Sequence, residues 1–198
     1  LRAQTVHVDS YEQDYGGAVN ASLDVLSMYD IDVPTDPTEK EIKREKFQLN
    51  LALRGRSFMC FSKFPIAADD DMIVGPLQLA QVTMKNAMFG KKLNVVQCLG
   101  YRILRLCISK KLLTKHVPTF FLSLGSPLRQ SEQYEKAFLY ANAGLGLMER
   151  FPREKSKAFL TSKITLYGSM IFLRLPFRDG LEPLFELNSS LMAVGEFA

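Results

Sequence analysis

A run of three carboxylates and a later histidine form the candidate set in this chain for binding a metal ion or moving a proton. Asp69, Asp70 and Asp71 form a run of carboxylates, and His116 follows several lysines. Carboxylates acting together with an imidazole can hold a divalent cation or serve as general acid and base. A helical enzyme domain that uses Asp69–Asp71 and His116 is therefore one hypothesis for this chain.

A structural role explains the same residues more simply. An apolar-periodic segment follows the aspartates at once, so we interpret them as an N-cap and acidic first turn for a helix over about 72–88. His116 is interpreted as a surface or capping residue. No glycine-rich phosphate loop and no kinase motif occurs, and Gly144-x-Gly146 falls within a predicted helix rather than after a strand. We therefore expect no catalysis and no cofactor in this segment.

Composition indicates a folded protein. Of 198 residues, 47% are hydrophobic and 23% are charged, with a modest net charge of +4. The densest basic groups, Lys91-Lys92 and Lys110-Lys111 with Lys115, are typical of solvated helix ends, so no nucleic acid is expected; a basic surface for an acidic ligand or nucleic acid is the weaker alternative. No stretch of about 20 clean apolar residues predicts a membrane span. The three cysteines lie apart among apolar residues, which indicates buried thiols in a reducing, cytoplasmic setting.

Apolar residues recur at helical spacing along most of the chain, and period-two alternation is almost absent. Helices are predicted over about 14–29, 38–57, 72–88, 92–111, 131–148, 154–174 and 181–194, with a short apolar helix from Pro118 to near Gly125. A short apolar segment over 58–64 is stopped by Pro65. Arg178-Asp179-Gly180 is predicted to be a turn. An all-α fold of antiparallel helical pairs follows.

The second of these helices carries the most detailed local signals. Thr38, followed by acidic residues, predicts an N-cap. Phe47 and Leu51 are assigned to the apolar side of the helix. Glu41 and Glu45 are assigned to surface pairs with nearby lysines, which contribute little to stability.

A weak internal repeat relates two parts of the chain. In both copies an aromatic residue, a small residue and a leucine precede a proline, at Tyr15, Ala18, Leu26 and Pro34 and at Tyr134, Ala137, Leu145 and Pro152. The first three residues of each copy are separated from their counterparts by one fixed interval. This pattern is typical of stacked helix pairs, in which alanine allows close approach, tyrosine fills the junction and proline redirects the chain. These eight positions are therefore predicted to be structural.

The two openings, Asp14-Tyr15-Gly16-Gly17-Ala18 and Gln133-Tyr134-Glu135-Lys136-Ala137, resemble the start of the second helix of tetratricopeptide repeats. The longer order is similar to the helical-repeat region of large multidomain signalling ATPases, through Leu26, Pro34, Gly55-Arg56, Phe64-Pro65, a long helix pair, Glu149-Arg150, Pro183 and Gly195-Glu196-Phe197-Ala198. In those proteins a kinase-like domain and a nucleotide-binding module precede the repeats, and GAF, histidine-kinase or cyclase modules follow. The resemblance implies a tetratricopeptide-like solenoid that relays between the ATPase module and the output domains.

Residues 1–198 are interpreted as a single helical-repeat region. Because the chain begins at Leu1 and ends in a segment similar to the opening of a further repeat, we expect an internal fragment of a longer cytoplasmic protein. Its partner would be a protein or a neighbouring domain of the same chain, bound in a groove formed by successive helices. The face of the 72–88 helix and residues near Arg102, Arg105 and Lys111 are candidate contacts. A stand-alone scaffold or adaptor is the alternative.

Overall fold

The chain forms helices that pack against one another. The structure, a computed structural model, describes residues 14–69, 71–151, 157–169 and 176–193. Within these ranges there is no strand, and one isolated β-bridge joins Ile66 to Leu113. The helices are α1 (Tyr15–Ser27), α2 (Glu39–Leu53), a 3-10 helix (Phe58–Lys63), α3 (Val74–Phe89), α4 (Leu93–Lys110), α5 (Val117–Gln130), α6 (Tyr134–Met148), α7 (Lys157–Ser169) and α8 (Phe177–Ala193). The prediction of an all-α fold is confirmed; the predictions for Asp70, Pro152 and 195–198 concern residues outside the described ranges.

Neighbours in space are not always neighbours along the chain. In the first half, α1 packs on α3 and α2 packs on α4, while α3 and α4 follow each other through a short turn and are also in contact. In the second half, α5 packs on α6 and α7 packs on α8, and α5 also contacts α4. The last four helices therefore form consecutive pairs, whereas the first four interleave.

The central core is built around aromatic side chains. Phe121 of α5, Phe61 of the 3-10 helix and Tyr101 of α4 are among the largest fully buried side chains. The ring centroids of Phe61 and Phe121 lie 5.3 Å apart in an edge-to-face arrangement. Tyr140 of α6 shares a hydrogen bond with Tyr101, and burial raises the pKa of both phenols. The cluster thus connects four helical elements around one apolar centre.

The predicted N-cap of α2 is confirmed. Glu41 N–H donates to Thr38 Oγ1 at 3.3 Å, and the Glu41 carboxylate in turn accepts from the Thr38 backbone N–H and hydroxyl, each at 2.7 Å. This reciprocal capping box satisfies backbone donors that the first helical turn leaves unpaired. The Thr38 backbone hydrogen bond, followed by the hydroxyl contact, holds the pKa of Glu41 below its ordinary value of 4.5.

The capping box predicts a pH-dependent contribution to stability. Since the pKa of Glu41 is lower in the folded than in the unfolded chain, its carboxylate stabilises the fold above about pH 4.5, and this contribution is lost as the pH falls through the folded pKa. We expect wild type to exceed Glu41→Gln in free energy of unfolding at neutral pH and the difference to shrink towards about pH 3. Urea titrations across this range measure it. A Thr38→Ser background, which keeps the hydroxyl, should preserve the effect; a difference independent of pH would contradict it.

The predicted capping of α3 by the aspartate run is wrong for the residues described. The helix begins at Val74, and the residue at its N-cap position, Ile73, makes no side-chain capping bond. Asp71 Oδ1 instead accepts from the Ile73 N–H at 3.1 Å. The Val74 N–H donates to the Asp71 carbonyl at 2.9 Å. Asp71 therefore belongs to a separate turn that precedes α3.

Two predicted breaks lie inside helices. α5 does not end near Gly125; it continues to Gln130 and also includes Pro127. Gly125 and Pro127 are both buried. Packing at the centre of the fold outweighs their unfavourable helix propensities. Residues 178–180 are likewise not a turn but the start of α8, where Asp179 supplies an acidic side chain to the first helical turn.

Candidate functional site

The two repeat copies begin at equivalent places, because Tyr15 is the first residue of α1 and Tyr134 the first residue of α6. Their surroundings differ. Tyr15 is half-buried, and its ring centroid lies 5.6 Å from that of Phe89 on α3. A Cβ added at Gly90 would come within 3.1 Å of the Tyr15 Cβ, so the glycine leaves room for this tyrosine. Tyr134, in contrast, is 49% exposed.

The remaining repeat positions also differ in burial. Ala137 and Leu26 are fully buried, whereas their counterparts, Ala18 and Leu145, are half-buried. Pro34 is exposed in the connection between α1 and α2, and its counterpart, Pro152, lies outside the described residues. The structural equivalence of the two copies stays a prediction.

The structure gives Asp69 and His116, two members of the hypothetical acid–base site, separate partners. Backbone hydrogen bonds join residues 65–67 to Leu113, so that Asp69 Oδ1 lies 3.4 Å from Lys115 Nζ. The neighbouring His116 has its Nδ1 atom 2.6 Å from Gln81 Oε1. Asp69 is exposed and its pair with Lys115 is solvated, which makes it a weak interaction. Among the described residues, no group of three or more His, Cys, Asp or Glu side chains could hold a metal ion.

Arg102 and Arg105 belong to a buried ion cluster with Glu45. Arg102 Nη2 lies 2.6 Å from Glu45 Oε1, and Arg105 Nη2 lies 3.2 Å from Glu45 Oε2. The side chain of Glu45 is only 6% exposed, while those of Arg102 and Arg105 are 24% and 34% exposed. One carboxylate from α2 therefore joins two guanidinium groups of α4, and the two arginines hold helices together.

The assignment of Glu45 to a surface pair with lysines is wrong. Ile42, Glu45, Leu49 and Leu53 share the three- and four-residue spacing of one helix face, and all four are buried. Glu45 thus occupies the core-facing stripe, and that spacing was the signal that could have located it. Its partners lie on another helix, and the sequence contains no signal for that pairing.

The thiols are unsuited to nucleophilic chemistry. Cys98 and Cys107 are buried as predicted, and Cys60 is half-buried. Burial raises the pKa of Cys98 to about 11 and that of Cys107 to about 12, and it also raises the pKa of Cys60. Since the thiolate is the reactive form, these three side chains remain protonated and poorly reactive at neutral pH.

A solvent-facing stripe on α2 combines large apolar and basic side chains. Phe47 and Leu51 are 64% and 61% exposed, so their assignment to the core side of the helix is wrong. Lys40, Arg44 and Arg54 are exposed at the same alternating spacing of four and three residues. Lys40, Arg44, Phe47 and Leu51 lie opposite the buried stripe of the helix, and Arg54 follows at the C-cap, where its backbone is left-handed. These five residues are here called the α2 outer face.

Other helices also present exposed apolar side chains. On α3, the predicted contact helix, Val82 and Phe89 are exposed, and Lys85 Nζ lies 5.9 Å from the Phe89 ring centroid. This cation already covers part of the ring. Lys111, the other predicted contact, is an exposed residue with left-handed backbone geometry at the end of α4. The α2 outer face combines exposed apolar and exposed basic side chains, and we therefore take it as the candidate surface for contact with a partner.

Comparisons with known proteins add no assignment. No protein-family model, no curated protein sequence and no solved structure matches this chain. Among the described residues, no helix combines the length and the apolar character needed to cross a membrane.

Proposed function

We propose that this chain is a protein-interaction and regulatory segment of a cytoplasmic signalling protein. One observation carries the proposal: α2 buries a complete stripe in the core and still presents Phe47 and Leu51 to solvent. Burial of a large apolar side chain contributes about 1.5–3 kcal/mol, so a partner that covers both side chains would gain stability from the contact. Contiguous exposed apolar groups edged by polar residues are typical of interaction surfaces.

The relay role rests on the resemblance to the helical-repeat region of multidomain signalling ATPases. In that arrangement a tetratricopeptide-like solenoid transmits contacts between an ATPase module and the output domains. The consecutive pairs α5–α6 and α7–α8 support a repeat architecture. The proposal assigns the segment a binding role, with a neighbouring domain of the same polypeptide as the partner, and no reaction of its own.

Site-specific photo-crosslinking in the full-length protein tests this function. We expect a photoreactive amino acid at position 47 or at position 82 to capture one defined peptide, because both native side chains are exposed and apolar. The matched control is Gln78, an exposed polar residue of α3. Mass spectrometry identifies the captured peptide.

The location of the captured peptide separates the relay from its alternative. A peptide from a neighbouring domain of the same polypeptide would support the relay, whereas a peptide from a different protein would favour a stand-alone scaffold. Equal, unspecific crosslinking from positions 47, 78 and 82 would contradict an interaction function for these surfaces.

A further inference from the structure

We propose that the α2 outer face docks an acidic amphipathic helix, which would belong to the partner domain. The inference rests on the proposed interaction function and names the chemistry of the bound partner. It follows from the placement of Lys40 and Arg44 with Phe47 and Leu51 along one stripe of α2, and of Arg54 at the C-cap of the helix.

The two apolar side chains have the spacing of a helix–helix contact. Phe47 and Leu51 are four residues apart, so they project from the same side of α2 about one turn apart. A partner helix with apolar residues at three- and four-residue intervals would place its side chains between them, at an interaxial distance of about 8–10 Å. The anchors therefore match an amphipathic helix.

The charges around Phe47 and Leu51 determine the sign of the charge that the partner helix should carry. Lys40 and Arg44 lie one turn apart before Phe47, and the exposed Arg54 follows at the C-cap, so cations precede and follow the two anchors along the chain. The stripe itself contains no acidic residue, and the nearby Lys43 pairs with Glu39 at 3.2 Å. Carboxylates on a partner helix would complement these cations and speed its association.

The same features disfavour two other occupants. A second copy of this chain that docked through α2 would place like-charged stripes against each other, which opposes binding. An anionic membrane would attract the cations, but membrane binding by a surface helix scales with buried apolar area, and the stripe offers two apolar side chains. An acidic protein helix satisfies both the charges and the limited apolar area.

Direct binding of a synthetic probe tests the inference. The probe is a fluorescein-labelled peptide of about 18 residues, with leucine along one helical face and glutamate elsewhere. The control is a peptide of the same pattern with lysine in place of glutamate. We expect fluorescence anisotropy with the full-length protein to show binding of the acidic peptide, weakening as salt rises, and no binding of the basic peptide.

Substitutions on the α2 outer face test whether the acidic peptide binds there. We expect Phe47→Ser combined with Leu51→Ser to raise the Kd for the acidic peptide by about tenfold or more, since both apolar anchors are lost. Arg44→Glu should raise the Kd and reduce its salt dependence. The matched control is Met28→Ser, because Met28 is an exposed apolar residue at the end of α1, 79% exposed and off the stripe. Far-ultraviolet circular dichroism confirms that each variant is folded.

Two results would overturn the inference. One is equal binding of the acidic peptide to wild type and to the double serine variant, or equal binding of the basic peptide. The other is binding of phosphatidylserine–phosphatidylcholine vesicles through Phe47 and Leu51 without peptide binding, which would assign the stripe to a membrane. If crosslinks from position 82 still define a protein partner, the proposed function stands while the inference fails. If crosslinking is unspecific at every position, the function itself fails.

Discussion

Replacing Glu45 with glutamine is expected to lower the free energy of unfolding by about 2–3 kcal/mol. The substitution keeps the size of the side chain but removes the negative charge that pairs with Arg102 at 2.6 Å and Arg105 at 3.2 Å. Two guanidinium groups then remain together between α2 and α4 without a counter-charge. We expect a smaller loss of stability than for a fully buried ion pair, because both arginines retain some exposure to water. Urea unfolding followed by circular dichroism measures it.

Two further variants show whether the effect comes from the buried charge. Glu39→Gln removes an exposed carboxylate that pairs with Lys43 four residues later, and it should change stability by no more than about 0.5 kcal/mol. Replacing all three members of the cluster, Glu45, Arg102 and Arg105, with methionine should recover most of the loss, since no charge is left without a partner. The replacement also removes Arg102 Nε, a buried donor without a hydrogen-bond acceptor among the described residues. Equal losses for Glu39→Gln and Glu45→Gln would contradict the role of the cluster.

The Glu45 cluster also shows how far sequence reasoning reaches in this chain. Local signals are reliable where a few consecutive residues determine the outcome, as in the Thr38–Glu41 capping box. The recurrence of apolar residues at helical spacing predicted most helices. Which face of α2 is buried depends on α4, more than 50 positions further along the chain, as the separation of 57 between Arg102 and Glu45 shows. Phe47 and Glu45 were therefore each assigned to the wrong side.

Glycine and proline in α5 are a second case in which neighbouring residues alone give the wrong prediction. Gly125 and Pro127 are turn signals when only neighbouring residues are considered. In the structure they are buried within α5, which packs on α4 and α6, and these contacts keep the helix continuous. For the candidate site, the sequence identifies acidic, basic and apolar residues but not their exposure. The α2 outer face became visible only once the core-facing stripe of the helix was known.

Two glycines in α6 are expected to respond to the same substitution with opposite signs. A Cβ at Gly144 would lie 2.9 Å from the Pro118 carbonyl oxygen and 3.2 Å from the Phe121 Cβ. Both atoms belong to α5, and the closer one is backbone, which cannot move aside as a flexible side chain does. Overpacking of this kind costs about 1–3 kcal/mol or more, against a gain of about 1 kcal/mol in helix propensity. We expect Gly144→Ala to lower the free energy of unfolding by about 1–2 kcal/mol.

Gly146, two residues later in the same helix, is the matched control. Apart from its chain neighbours and the backbone of its own helix, no described atom lies within 4 Å of a Cβ built at this position. Gly146→Ala should therefore gain helix propensity without a clash and raise the free energy of unfolding by about 0.5–1 kcal/mol. Urea unfolding of the two variants, analysed with a common slope, compares the signs directly. If both substitutions stabilise the protein, the close approach of α5 and α6 at Gly144 is incorrect. Because the two positions share residue type and helix, opposite signs would identify the helix contact, rather than intrinsic propensity, as the reason for glycine at position 144.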